Sequence, residues 1–158
     1  MSDLTHVDSS GEARMVDVSS KPATARMARA AGRIEMNRAA FEAVRETQVS
    51  KGDVLSVARV AGILAAKRTA ELVPLCHQIP LSDVEIAISA VSDLPGYEVQ
   101  ATARTTAGTG VEMEAIVAVS LTLITIYDMT KALDREMRIG EIVLLEKRGG
   151  RSGDWKRL

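Results

Sequence analysis

Apolar and polar residues alternate with a period of two between Val84 and Arg104. Val84, Ile86, Ile88 and Ala90 fall on one face, with Glu85 and Ser89 on the other. After the turn signal Ser92-Asp93-Leu94-Pro95-Gly96, Tyr97, Val99, Ala101 and Ala103 alternate with Glu98, Gln100, Thr102 and Arg104. The pattern predicts a hairpin of two half-buried strands. Upstream, the Ala content of Thr24–Met36 favours helix, but Arg26, Arg33 and Glu35 interleave at short period with Met27, Ile34 and Met36. With Asn37 placed to cap a following helix, the segment reads as a strand.

Asn37–Thr47 carries Ala40, Phe41 and Val44 at helical spacing. Ser50-Lys51-Gly52-Asp53 interrupts it, and Asp53 can cap a second helix from Val54 to about Arg68, with Val57, Val60, Ala61 and Leu64 as its apolar stripe. Pro74 blocks simple continuation and leaves Leu75-Cys76-His77 extended towards Pro80. Gly108-Thr109-Gly110 opens a long apolar segment, Val111 to about Leu133. Its inner run, Ala115–Tyr127, is shorter than the ~20 residues that a bilayer span needs, and it reads as a buried helix. A last strand is predicted over Ile139–Leu145.

The order is strand, helices, strand, strand, helix, strand. That is the order of an α+β, ferredoxin-like split βαβ sandwich, with an antiparallel sheet and helices on one face. Residues 1–20 are expected to form a mobile N-terminal segment, residues 21–147 a single catalytic domain and residues 148–158 a mobile basic tail. The length, 158 residues, suits one core. Apolar residues make up 46% and charged residues 26%, with a formal net charge of -1. General binding to nucleic acid or to an anionic membrane usually needs a more basic chain, so an anion site must be local. The single Cys76 precludes an internal disulfide, and with no secretory signal the expected compartment is the cytoplasm. Aromatics are only 3%, and a chain so poor in large side chains gains from self-association.

Four clusters carry candidate chemistry. Asp128 and Lys131 lie at i and i+3, on one helix face. Surface pairs of this kind are common and weak. Against an otherwise apolar helix, the pair can also have shifted pKa values that suit acid–base work. Glu112 and Glu114 follow the Gly108-Thr109-Gly110 loop. They either complement the helix dipole or, on an extended entry segment, point to one side together.

Cys76 and His77 are neighbours in an extended segment, so they form a poor nucleophile–base pair. Cys76 reads as core, and His77 as a binding group, a proton carrier or a packed ring. With Glu112, Glu114 and Asp128, His77 has the right chemistry for a metal site, yet no His-x-x-x-His or Cys-x-x-Cys spacing supports one. Lys51-Gly52, Lys67-Arg68 and the run Lys147 to Arg151 are either a solvated face or an anion site for a polyphosphate, without a P-loop pattern.

Glu114 and Asp128 are fourteen residues apart, ~21 Å along a straight helix. Both can serve one small substrate only if two copies supply opposite ends of the helix. This predicts a site at a symmetric dimer interface.

Lys67-Arg68-Thr69 with Leu72-Val73-Pro74-Leu75-Cys76-His77 forms one motif. Thr109-Gly110-Val111-Glu112-Met113-Glu114-Ala115 and Ile126-Tyr127-Asp128-Met129 with Lys131-Ala132 form a second. Lys147 with Gly149-Gly150 and Ser152-Gly153 forms a third. In this order they resemble the signatures of the cyclic pyranopterin monophosphate synthase family, also called molybdenum cofactor biosynthesis protein C. The resemblance runs from about Leu4 to Trp155. It implies a lyase of molybdenum cofactor (molybdopterin) biosynthesis. The substrate would be 3′,8-cyclo-7,8-dihydroguanosine triphosphate, and the products cyclic pyranopterin monophosphate and pyrophosphate. It further implies a homohexamer, built as a trimer of dimers with the active site at the dimer interface. No metal or organic cofactor, no nucleic acid and no membrane is implied.

Carried over by position, Asp128 matches the active-site acid or base and Lys131 its catalytic companion. Leu75, Cys76, His77, Met113 and Glu114 match substrate-contacting segments. Lys51, Glu112 and Lys147 match polar positions lining the same pocket, and Lys67, Asp17 and Arg26 are further candidates. Thr130 stands where the family often has Cys, Gln78 where Pro is frequent, and Arg151 where Lys is frequent. Arg keeps the charge and can still hold phosphate. A nucleotide-binding module without turnover and a metal-dependent hydrolase are the alternatives.

Overall fold

A computed structural model describes residues 6–8, 10–46, 52–91 and 94–158. Its elements run β1 (Thr24–Glu35), α1 (Arg38–Arg45), α2 (Val54–Ala66), α3 (Thr69–Leu72), β2 (Leu81–Val91), β3 (Gly96–Ala107), α4 (Glu112–Thr130), β4 (Arg138–Arg148) and β5 (Trp155–Lys156). The sheet order is β2-β3-β1-β4-β5, and every pairing is antiparallel. β3 lies between β1 and β2 and splits the first βαβ unit, as the order of elements predicted.

β1 is the central strand, paired to β3 on one side and β4 on the other. Ladder bonds on both edges outweigh the modest helix preference of its alanines. Its small residues Ala28, Ala30 and Gly32 let the helical layer come close. A Cβ on Gly32 would lie 2.8 Å from Val119 and 2.9 Å from Leu123 of α4. The two expected caps are present: Ala40 N–H donates to Asn37 Oδ1 (2.8 Å) and Ser56 N–H to Asp53 Oδ1 (3.1 Å). The β2–β3 hairpin pairs Ile86 with Ala101 and Ile88 with Val99, and β3 buries Tyr97, Val99, Ala101 and Ala103.

α2 differs from its predicted stripe. Val57, Val60 and Leu64 are exposed (46%, 55% and 50%), while Val54, Ala58, Gly62, Ala65 and Ala66 are buried. The helix is apolar on nearly every side, so periodicity does not identify the core face. Close approach decides it. α2 packs on α4 through Gly62, where a Cβ would meet the Ala118 carbonyl at 2.8 Å and Ile86 Cδ1 at 2.5 Å. Val57, Val60 and Leu64 are therefore left outside.

α4 has the length and hydropathy of a membrane span, but 56% of its most apolar window is buried within the fold. It is the core helix, held between α2 and the sheet. Its buried hydroxyls need no outside partner: Thr122 Oγ1 donates to the Ala118 carbonyl (2.8 Å) and Thr130 Oγ1 to that of Ile126 (2.6 Å). β5 was not anticipated. Trp155 pairs with Lys147, so the chain beyond Arg148 turns back onto the edge of the sheet.

Candidate active site

Two loops meet at the N-terminal end of α4. Pro74 follows the short α3, and Cys76 N–H donates to the Val73 carbonyl (3.0 Å), closing a turn that presents Leu75, Cys76 and His77. The Gly108-Thr109-Gly110 loop leads into α4, whose N-cap Val111 makes no side-chain cap bond. Glu112 and Glu114 stand in the first helical turn, not on an extended entry, and their charge complements the helix dipole there. The N-terminal segment crosses these loops. His77 Nε2–H donates to the Val16 carbonyl (2.6 Å), which leaves Nδ1 as the ring's acceptor in its neutral form.

Together these pieces enclose a cavity of about 240 Å³. Leu75, Cys76, His77, Glu112, Met113 and Glu114, all singled out in the sequence, line it with Thr109 and Gly110. Cys76 and His77 share this cavity because the turn at Val73–Cys76 breaks the alternation of an extended strand. His6, Val16, Val18 and Lys21 complete the lining and were not singled out. They lie in a polar, turn-rich stretch without periodicity, and only the contact with His77 reveals their place.

The electrostatics of the cavity centre on Glu114, which is only 4% exposed. Burial pushes its carboxyl up from 4.5 to about 7, and the neighbouring Glu112 carboxylate adds to the rise. At neutral pH Glu114 can thus donate a hydrogen bond when protonated and accept one when ionised. Burial, and then the Glu114 charge, raise the Cys76 thiol above its usual value, so Cys76 is a poor nucleophile. Hydrogen bonds from the Ser19 backbone and side chain hold Asp17 below the ordinary carboxylate range.

Asp128 and Lys131 are elsewhere. They form an ion pair (Nζ to Oδ1, 2.6 Å) at the C-terminal end of α4, with side chains 57% and 54% exposed. Lys147 Nζ donates to Ser152 Oγ beside a second, basic cavity of about 580 Å³. Lys21 lines both cavities, and Arg26 and Arg151 line the second. Lys67 lines a third with Ile63 and Asp83. Lys51 lies outside the described residues. Among the described residues, no three His, Cys, Asp or Glu side chains group so as to hold a metal ion.

The fold and its cavities define a split βαβ protein with a carboxylate- and histidine-lined cavity next to a basic one. Residues 15–150 match the MoaC family, and the chain belongs to that family. It is similar along nearly its whole length to proteins named cyclic pyranopterin monophosphate synthase. The relative from Thermomicrobium roseum is 54% identical, over 99% of this chain and 95% of its own length. That from Novosphingobium aromaticivorans is 55% identical, over 99% and 98%. That from a Nostoc species is 53% identical, over 96% and 90%.

Proposed function

We propose that the chain is a cytoplasmic lyase that converts 3′,8-cyclo-7,8-dihydroguanosine triphosphate to cyclic pyranopterin monophosphate and releases pyrophosphate, in molybdenum cofactor biosynthesis. The observation that carries this reading is the identity of 54% to the Thermomicrobium roseum synthase over 99% of the chain. The cavity at the start of α4 supports it, since its polar lining suits a nitrogen-rich ring. Glu112 accepts hydrogen bonds from the amino and N–H groups of the guanine-derived ring. Glu114 accepts or donates according to its protonation state. His77 binds the sugar or a phosphate.

The chemistry needs proton transfers for ring opening, pyran closure and formation of the cyclic phosphate. Asp128 and Lys131 supply one acceptor and one donor side by side. Pyrophosphate leaves with negative charge, which Lys51 and Lys147 stabilise. A cavity of about 240 Å³ is small for a nucleoside triphosphate, as whole ligand sites run from about 300 to 1,000 Å³. It serves as half of a site. The other half is the Asp128–Lys131 end of a second copy, in a dimer that assembles further to a hexamer. Val57, Val60 and Leu64 of α2 and Ile124 of α4, all at least 46% exposed, are apolar surface that such assembly can cover.

The test is to mix the purified protein with enzymatically made substrate, with and without chelator. Pyrophosphate release and the fluorescent pterin obtained by oxidising the product are followed. Chelator-resistant formation of both is expected. Binding without turnover favours a non-catalytic module, hydrolysis of ordinary GTP that a chelator stops favours a hydrolase, and no binding overturns the reading.

A further inference from the structure

The β4–β5 connection is a glycine loop laid against β1. Gly149, Gly150 and Gly153 all have positive φ (85°, 84° and 67°), which glycine adopts without strain. A Cβ on Gly149 would strike the Ala25 carbonyl, and one on Gly150 would strike the Arg26 guanidinium. The loop therefore touches β1 directly. Two bonds set its shape: Gly149 N–H donates to Asp154 Oδ1 (2.9 Å), and Gly153 N–H to the Gly150 carbonyl (3.1 Å).

Beneath the loop, Arg26 is held among the described residues by two carbonyls, with Nε on Ala107 (3.1 Å) and Nη2 on Gly108 (3.3 Å). Neither it nor Lys21 or Arg151 forms an ion pair among the described residues. All three line the cavity of about 580 Å³, together with Ser152, the partner of Lys147. Three uncompensated cations around one cavity favour a polyanion.

We propose that Asp154 is a positioning residue: it holds the Gly149–Gly153 loop against Arg26 and so sets Arg151 and, through Ser152, Lys147 beside a basic cavity that takes the substrate's phosphate groups. The identity of those phosphates rests on the function proposed above, while the positioning rests on the loop geometry. Asp154 is itself an anion. If it acted only through its charge, its removal would tighten phosphate binding. Acting through the Gly149 N–H, it does the opposite, and Asn, which keeps an acceptor oxygen, replaces it.

Calorimetric titration of the full chain with inorganic pyrophosphate tests this, alongside KM for the substrate and the melting temperature. Asp154→Ala is expected to weaken pyrophosphate binding and raise KM by roughly tenfold, the size of one lost charge-assisted hydrogen bond. Asp154→Asn is expected to stay within about threefold of the parent on both readouts. Gly150→Ala, which removes no charge, is expected to weaken pyrophosphate binding as the loop lifts from Arg26. Unchanged or tighter binding in Asp154→Ala, an equal fall in Asp154→Asn, or no pyrophosphate binding by the parent overturns the proposal. Pyrophosphate binding that depends on Asp154 in a protein without turnover sinks the proposed reaction and leaves the positioning role standing.

Discussion

Glu114 and Asp128 stand at opposite ends of α4. Glu114 is buried in the first turn, and Asp128 is exposed in the last with Lys131 at 2.6 Å. Fourteen residues separate them along the helix, an axial rise of ~21 Å at 1.5 Å per residue. One chain thus carries a carboxylate-lined cavity at one end of its core helix and an exposed ion pair at the other. In the proposed enzyme each end works with its counterpart from a second copy.

Lys131→Ala is expected to remove turnover and leave the fold intact. Both side chains of the pair are more than half exposed, so its loss costs no more than about 1 kcal/mol of stability. A lost proton-transfer group costs roughly 10²–10⁴ in rate. Steady-state assay beside a thermal melt checks this. A large fall in melting temperature would make the lysine structural.

Glu114 predicts a pH-dependent stability. Its carboxyl is raised in the folded protein from 4.5 to about 7. The folded state therefore holds the proton more tightly than the unfolded chain. The resulting stabilisation is fully present below about pH 4.5 and is lost as pH rises through about 7. Glu114→Gln removes this dependence. Relative to the parent it gains stability between pH 5 and pH 8, by at most about 3 kcal/mol. Urea unfolding at the two pH values measures the difference. A pH-independent difference contradicts the burial argument.

Gly62→Ala is expected to destabilise although alanine is the better helix former by about 1 kcal/mol. The added methyl would meet Thr122 Oγ1, the Ala118 carbonyl and Ile86 at the α2–α4 contact. Backbone cannot yield as a flexible side chain does, so a net loss of about 1–3 kcal/mol is expected in denaturant unfolding. A neutral result would mean that the helices separate freely.

Tyr97→Phe is expected to be neutral or to stabilise by up to about 1 kcal/mol. The ring is 2% exposed and its hydroxyl has no hydrogen-bond partner among the described residues, while its contact with Phe41, centroids 5.4 Å apart, does not need the oxygen. Loss of stability on thermal melting would show that the hydroxyl has a partner after all.

Much of the fold was legible because its signals are local. Alternation in β2 and β3 marks strands with one buried face, and Asn37 and Asp53 cap helices with their own side chains. α2 was not legible in the same way. An all-round apolar helix has no favoured face until a close neighbour selects one, and here Gly62 does so against Thr122. β5 is two residues long and depends wholly on Lys147 and Glu146 as partners. In the site, the motif segments Leu75–His77 and Glu112–Glu114 were found from sequence and line one cavity. His6, Val16, Val18 and Lys21 were missed, because a side chain brought in by an irregular segment leaves no periodic trace.

If the synthase site is shared between two copies, mixing two variants impaired at opposite ends of α4 tests it most directly. Lys131→Ala is defective at one end of α4 and Glu112→Gln at the other. Unfolded together in equal amounts, refolded and given the cyclised nucleotide, they pair at random. Half of the dimers are then mixed, each with one intact site of two, so pyrophosphate release should recover to about a quarter of the parent rate. A mixture no more active than either variant alone would contradict the shared site.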